Sequence, residues 1–158
     1  MADKKLRILV VDDHDIVRAG VSAVIQEQPG WEICGAAKTG REAVRLAAAA
    51  QPDVVVMDMS MPELNGLDAA IQIKRKVPAT EILMFTAHET DDLVRQAFAA
   101  GMKSFISKTE AHHFLVEAIA SLARHEPFIT AKVSEILFAN LPHTDGRREE
   151  AEAGQRLS

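Results

Sequence analysis

Three aspartates, a threonine and a lysine stand at the ends of apolar runs in this 158-residue chain. Asp12 and Asp13 follow the run 6–11, Asp58 follows 54–57, Thr86 follows 81–85, and Lys108 closes a shorter run at 104–106. Carboxylates gathered within a few ångströms repel one another and stay ionised together only with a cation among them. Oxygen ligands suit a hard ion that keeps part of its water shell, which favours Mg²⁺, with Mn²⁺ possible, over Zn²⁺. No His or Cys pair stands at zinc-site spacing. Lys108 and Thr86 add a mobile positive charge and a hydroxyl donor, the two groups that phosphoryl oxygens require. The set is equipped for attack by the Asp58 carboxylate on phosphorus, giving an acyl phosphate. The metal and Lys108 would offset charge on the equatorial oxygens.

That chemistry needs all five residues at one end of one sheet, and the hydrophobic pattern places them there. Strands are predicted over 6–11, 31–37, 53–57, 81–85 and 104–106. Helices are predicted over 16–25, from 39 to just before Pro52, over 67–76, 91–100 and 110–124, and from about 130 to 141. Asp15 is the expected cap of the first helix. Alternating strands and helices with short connections give a parallel sheet covered on both faces. Right-handed crossovers then favour the strand order 2-1-3-4-5. The expected fold is α/β, a flavodoxin-like (βα)5 doubly wound parallel sheet with an extra C-terminal helix. The unbroken apolar run into Asp58 reads as a central strand, buried on both faces. In that order the first and third strands are neighbours, so Asp12, Asp13 and Asp58 meet at the switch point where such sheets bind ligands.

Composition narrows the classes further. With 47% apolar residues, 26% charged residues and a net charge of −5, the chain has the makeup of one soluble domain. Binding nucleic acid by bulk electrostatics is disfavoured, because that depends on clustered Lys and Arg. Cys34 is alone and is expected to be buried and inert, which fits a reducing cytoplasm. No run approaches the ~20 apolar residues of a membrane span, so no membrane partner is expected. Met57, Met59 and Met61 read as packing, and His112 and His113 as solvated. From 142 onward large apolar residues almost vanish, the mark of a flexible linker.

Four segments carry a family resemblance: Val11-Asp12-Asp13-His14, Met57-Asp58-Met59-Ser60-Met61-Pro62-Glu63-Leu64-Asn65-Gly66, Thr86-Ala87 and Gly101-Met102-Lys103-Ser104-Phe105-Ile106-Ser107-Lys108. Together they resemble the receiver domain of two-component response regulators, over residues 5 to about 125. The resemblance implies that Asp58 is the phosphoacceptor, charged by a sensor histidine kinase or a small phosphodonor. It implies Mg²⁺ held by Asp12, Asp13, Asp58 and the backbone carbonyl of Ser60. Thr86 would be the switch hydroxyl and Phe105 the switch aromatic, in place of the commoner tyrosine. A phosphoryl group on Asp58 draws Thr86 in, Phe105 fills the space, and the surface of the fourth helix, fifth strand and fifth helix changes state. Such a protein is a phosphoacceptor with at most slow autodephosphorylation, rather than an enzyme. Ser60 and His88, each two residues beyond a site residue, stand where side chains influence hydrolysis of the acyl phosphate.

Asp12-Asp13-His14 followed by Val17-Arg18-Ala19-Gly20, Gly40-Arg41-Glu42-Ala43 and the segment 128–137 is similar to the NarL/FixJ type. Members of that group carry a C-terminal LuxR-type helix-turn-helix domain that often opens with Leu-Ser or Leu-Thr. The chain ends at Leu157-Ser158. The expectation is a receiver domain over 1–125, an extra helix segment over 126–141 and a linker over 142–158, cut from a longer transcription factor. Homodimerisation on activation is expected, with DNA reached through the missing helix-turn-helix domain alone.

Three alternatives compete. An aspartyl-nucleophile phosphohydrolase would place a second Asp two residues after the nucleophile, where this chain has Ser60. A flavin or dinucleotide module would want a glycine-rich first loop, where this chain has Asp-Asp-His. A phosphorylation-independent receiver is disfavoured by the presence of every site residue.

Overall fold

The computed structural model describes residues 4–59, 61, 64–87 and 90–139. Five strands form: β1 (Leu6–Val11), β2 (Trp31–Ala37), β3 (Val54–Asp58), β4 (Glu81–Thr86) and β5 (Ser104–Ser107). They pair in parallel in the order β2-β1-β3-β4-β5, the doubly wound topology expected. Helices α1 (Asp15–Gln26), α2 (Gly40–Ala50), α3 (Gly66–Lys76), α4 (Asp91–Ala99) and α5 (Ala111–Ala123) alternate with them, and α6 (Ala131–Phe138) comes last.

Side chains alternate across a strand, so each strand feeds two cores. Val10, Val56, Phe85 and Ile106 pack with α1 and α5, whereas Val11, Met57, Met84 and Phe105 pack with α2, α3 and α4. Burial on both faces makes β3 and β4 apolar without a break. Both strands run one residue past the apolar stretch, because Asp58 pairs with Phe85 and Thr86 with Ser107. The two polar residues are thereby held by the ladder itself.

Most helix starts are capped from the sequence. Thr39, Asn65, Thr90 and Thr130 each accept a backbone N–H from three residues on. The first helix departs from expectation. Its N-cap residue is His14, with no side-chain cap, and Asp15 lies in the first turn, where it pairs with Arg18 at 2.6 Å. Asp12 is the reason: its Oδ1 accepts the His14 N–H at 2.8 Å and turns the chain out of β1 before Asp15 is reached.

Cys34 also differs from expectation, being half-buried rather than buried. β2 is an edge strand, and pairing with β1 jumps from Ile8–Ile33 to Leu9–Gly35, which leaves Cys34 as the extra residue of a bulge. Partial burial holds its thiol above the usual range, against the pull of the Arg7 charge.

Beyond α5 the chain returns along the free edge of β5. Phe128 donates its N–H to Ser104 Oγ at 2.9 Å and bridges that residue in parallel. This sets up α6, whose Val133 and Ile136 are buried in the same core as Val94 and Ala97 of α4. The extra helix therefore packs on α4. The last residues of the expected helix, at 140–141, and the expected linker lie outside the described residues.

Candidate functional site

β1, β3, β4 and β5 all end on one edge of the sheet, and the residues at those four ends build the site. Asp12 continues β1 by donating its N–H to the Ala37 carbonyl at 3.1 Å, which buries its carboxylate to 1% exposure. Asp58 closes β3 and is fully buried. Lys108 donates its backbone N–H to the Thr86 carbonyl at 2.7 Å, so its side chain rises from the β4–β5 junction. Its ammonium lies 2.7 Å from Asp12 Oδ2, 3.6 Å from Asp58 Oδ2 and 5.6 Å from the Phe85 ring centre. Asp13 stands at the mouth, 30% exposed.

A buried carboxylate costs several kcal/mol unless compensated, by roughly the magnitude of ion desolvation, and among the described residues Lys108 is the ammonium that faces both Asp12 and Asp58. The Lys108–Asp12 contact also falls outside hydrogen-bond alignment, so it is Coulombic. Asp12 Oδ2 and Asp13 Oδ1 are buried atoms that accept no aligned hydrogen bond. Donor atoms of Asp12, Asp13, His14 and Asp58 lie within 4.8 Å of one another. Lone pairs left open on buried carboxylates at this spacing fit a small divalent cation.

Two glycines press the surroundings into shape. Gly66 donates its N–H to the Met59 carbonyl at 3.0 Å, and a Cβ there would overlap the Asp58 carbonyl and Met59 Cα. A Cβ on Gly40 would likewise overlap the Leu64 carbonyl. The first turns of α2 and α3 therefore lie directly against the chain that leaves Asp58.

Thr86 and Phe105 occupy one face of the sheet. Phe105 pairs with Met84 and is fully buried in the core under α4, and Thr86 lies two residues on from Met84, on the same side. Thr86 is itself buried. Of the residues singled out from sequence, Asp12, Asp13, Asp58 and Lys108 converge, and Thr86 and Phe105 flank them on β4 and β5. Ser60 and His88 lie outside the described residues. Met57, Met59 and Met61 are packed in the core, and His112 and His113 are exposed, as expected.

Sequence reasoning left two neighbours unassigned. Arg18, one helical turn into α1, donates to the Asp12 carbonyl oxygen at 2.8 Å. The His14 ring turns back so that Nδ1 lies 2.9 Å from Asp12 Oδ1. Adjacency to the acidic pair was the available signal for His14; for Arg18 it was the spacing of a first helical turn.

A doubly wound parallel sheet with carboxylates and a lysine at its switch point defines a class of α/β signalling domain. The chain belongs to the response regulator receiver domain family, which matches residues 8–120. It is 35% identical over 139 residues to the transcriptional regulatory protein LiaR of Bacillus subtilis, covering 88% of this chain and 66% of that one. It is 35% identical over 130 residues to the response regulator UvrY of Escherichia coli, covering 82% of this chain and 60% of that one. The chain thus spans about 60–66% of the length of these curated relatives. A LuxR-family two-component response regulator from Aurantimonas sp. superposes with a TM-score of 0.80 at 32% identity, covering 86% of this chain and 97% of that one. The signal receiver domain of NarL from Mycobacterium tuberculosis gives 0.73 at 30% identity, covering 77% and 98%. Receiver domains bind Mg²⁺ at an acidic pocket, and Asp12, Asp13 and Asp58 are clustered at the corresponding edge of the sheet here. No helix among the described residues is long and apolar enough to cross a membrane.

Proposed function

We propose that this chain is the phosphorylation-controlled switch of a two-component transcriptional regulator, with Asp58 as phosphoacceptor. The observation that carries the reading is the convergence of Asp12, Asp13, Asp58 and Lys108 at the sheet's switch point. An Asp58 oxygen forms the new bond to phosphorus. The bond from phosphorus to the donor breaks, either to a histidine nitrogen of a sensor kinase or to an oxygen of a small phosphodonor, and the leaving group keeps the electron pair. Asp12, Asp13, Asp58 and the Ser60 carbonyl would hold Mg²⁺, with Mn²⁺ as an alternative; that ion supplies charge neutralisation at the transferring group. Lys108 follows the phosphoryl oxygens from its position between Asp12 and Asp58.

The added charge and acceptor oxygens draw the Thr86 hydroxyl toward Asp58. Phe105 then moves into the space beside it and biases the surface of α4, β5 and α5 between two arrangements. Since α6 packs on α4, the same change reaches the segment that leaves the domain. Residues 1–125 are the receiver, 126–141 carry the extra helix, and 142–158 lead toward a helix-turn-helix domain. The full-length protein dimerises on activation, binds DNA through that domain, and works in the cytoplasm as a phosphoprotein rather than as an enzyme.

The test is incubation with Mg²⁺ and acetyl phosphate, read by intact mass. A phosphate-sized gain in the wild type that is lost in Asp58→Asn supports the reading. A gain that persists in Asp58→Asn at an unchanged rate places the chemistry elsewhere. Absence of any gain points to a phosphorylation-independent receiver, and sustained phosphate release without accumulation points to a phosphohydrolase.

A further inference from the structure

His14 contributes the one donor atom of the acidic cluster that is not an oxygen. Its Nδ1 lies 2.9 Å from Asp12 Oδ1 and 3.2 Å from Asp13 Oδ1. Bonds of about 2.1 Å meeting at right angles put neighbouring ligand atoms about 3 Å apart. Both spacings around Nδ1 are thus those of adjoining corners of one coordination shell. Asp13 Oδ1 is open to such a role, since it accepts no aligned hydrogen bond, and Asp12 Oδ1, which accepts the His14 backbone N–H at 2.8 Å, has a second lone pair to offer. The ring is open to it as well. It sits at the N-cap of α1 yet makes no side-chain cap; Nδ1 instead shares a hydrogen bond with Asp12 Oδ1 at 2.9 Å, a contact that a cation held between the two atoms would replace. Its backbone N–H bond to Asp12 Oδ1, at 2.8 Å, holds its Cα beside the cluster, and its side chain lies on the solvent side at 60% exposure.

We propose that His14 is a protein ligand, through Nδ1, to the divalent cation of this pocket. Its imidazole extends the site from Mg²⁺ toward first-row transition ions such as Mn²⁺ and Ni²⁺. An imidazole nitrogen favours those ions far more than Mg²⁺, whose preferred ligands are oxygens. The proposal rests on the metal-binding reading of the site given above.

Calorimetric titration of the untagged chain with Mg²⁺, Mn²⁺ and Ni²⁺, beside His14→Ala, separates the two. Losing the support of one ligand group commonly costs about tenfold in metal affinity, and a loss of at least that order is expected for Ni²⁺ and Mn²⁺ in His14→Ala. The Mg²⁺ affinity should stay within about twofold, because its oxygen ligands remain. Pulsed EPR of bound Mn²⁺ should show nitrogen coupling in the wild type and none in His14→Ala. Asp13→Asn should weaken all three ions. A wild type that binds none of them overturns the metal reading itself. Equal affinities in wild type and His14→Ala, without nitrogen coupling, overturn the His14 role and leave the oxygen site standing. So does a nitrogen signal that survives His14→Ala, whose source would then be another of the six histidines.

Discussion

Lys108 Nζ stands 2.7 Å from Asp12 Oδ2 and 3.6 Å from Asp58 Oδ2, so the lysine leans on the inner acidic residue rather than on Asp58. Both carboxylates are buried, and this ammonium is their shared counter-charge. Breaking a buried ion pair from one side leaves a desolvated charge and costs about 3–5 kcal/mol. Lys108→Ala is expected to lose stability at the lower end of that range in metal-free buffer, since the side chain retains 12% exposure. Mg²⁺ should restore part of the loss, so the rise in Tm on adding it should be larger in Lys108→Ala than in the wild type. Equal rises would mean that lysine and cation do not compete for the same carboxylates.

The opposite edge of the sheet holds a second charge cluster, with a pH signature. Glu81 opens β4 at 4% exposure; burial pushes its carboxyl up, but hydrogen bonds from His125 and Lys103 and the nearby Lys74 charge outweigh that and hold it below the usual range. The His125 bond is 2.7 Å and the Lys103 bond 3.1 Å. A carboxylate with a lowered folded pKa stabilises the fold above its unfolded value, about 4.3 for Glu, and loses that contribution as pH falls through the folded value. Glu81→Gln should therefore be less stable than the wild type at pH 7, by about 1–3 kcal/mol for charge-assisted bonds. The gap should narrow below pH about 4.3. Urea midpoints for both proteins across pH 3–7 measure it. A gap that stays constant with pH would assign the loss to packing.

Ile136 of α6 is 9% exposed and lies in the core beneath α4. Truncating a buried isoleucine to alanine costs about 2–5 kcal/mol, and Ile136→Ala, on the periphery, is expected near the lower bound. If α6 steadies α4, hydrogen exchange should quicken at α4 amides and stay unchanged in β1 and β3. Exchange that changes equally everywhere would show that α6 adds to the global fold without a particular hold on α4.

The parts of this molecule that a sequence makes legible are those forced by burial on both faces. A parallel strand such as Val54–Asp58 must be continuously apolar, so a carboxylate at its end stands out, and so does the Asp12–Asp13 pair after β1. The hidden parts depend on paths through space. Glu81 is legible only as the first residue of the strand 81–85, and nothing in the sequence links it to His125, 44 residues away, which meets it at 2.7 Å. His125 takes a left-handed conformation, φ 59°, to end α5, and this backbone choice aims the ring. His14 is adjacent to the acidic pair in sequence, but its rotamer toward Asp12 is a property of the folded mouth. Cys34 looked like core because its neighbours are apolar, and an edge strand with a bulge left it half-exposed.

Gly66 and Gly20 make a paired test of the contacts that hold Asp58 in place. Gly20 lies in α1 with nothing within 4 Å of an added Cβ, so Gly20→Ala should stabilise the protein by about 0.4–1 kcal/mol through the unfolded chain. The same methyl on Gly66 meets the Asp58 carbonyl and Met59 Cα, and these are backbone atoms with no rotamer to escape into. Gly66→Ala gains the same helix preference but must displace either α3 or the chain leaving Asp58, at a cost of about 1–3 kcal/mol for overpacking. A displaced chain moves Asp58 relative to Asp12, Asp13 and Lys108. Stability should therefore fall while the acetyl phosphate reaction and Mg²⁺ affinity fall further than the fraction unfolded explains. Urea midpoints, Mg²⁺ titrations and phosphorylation rates on the two variants decide it. Normal rates in a destabilised Gly66→Ala would show that α3 yields and the site does not.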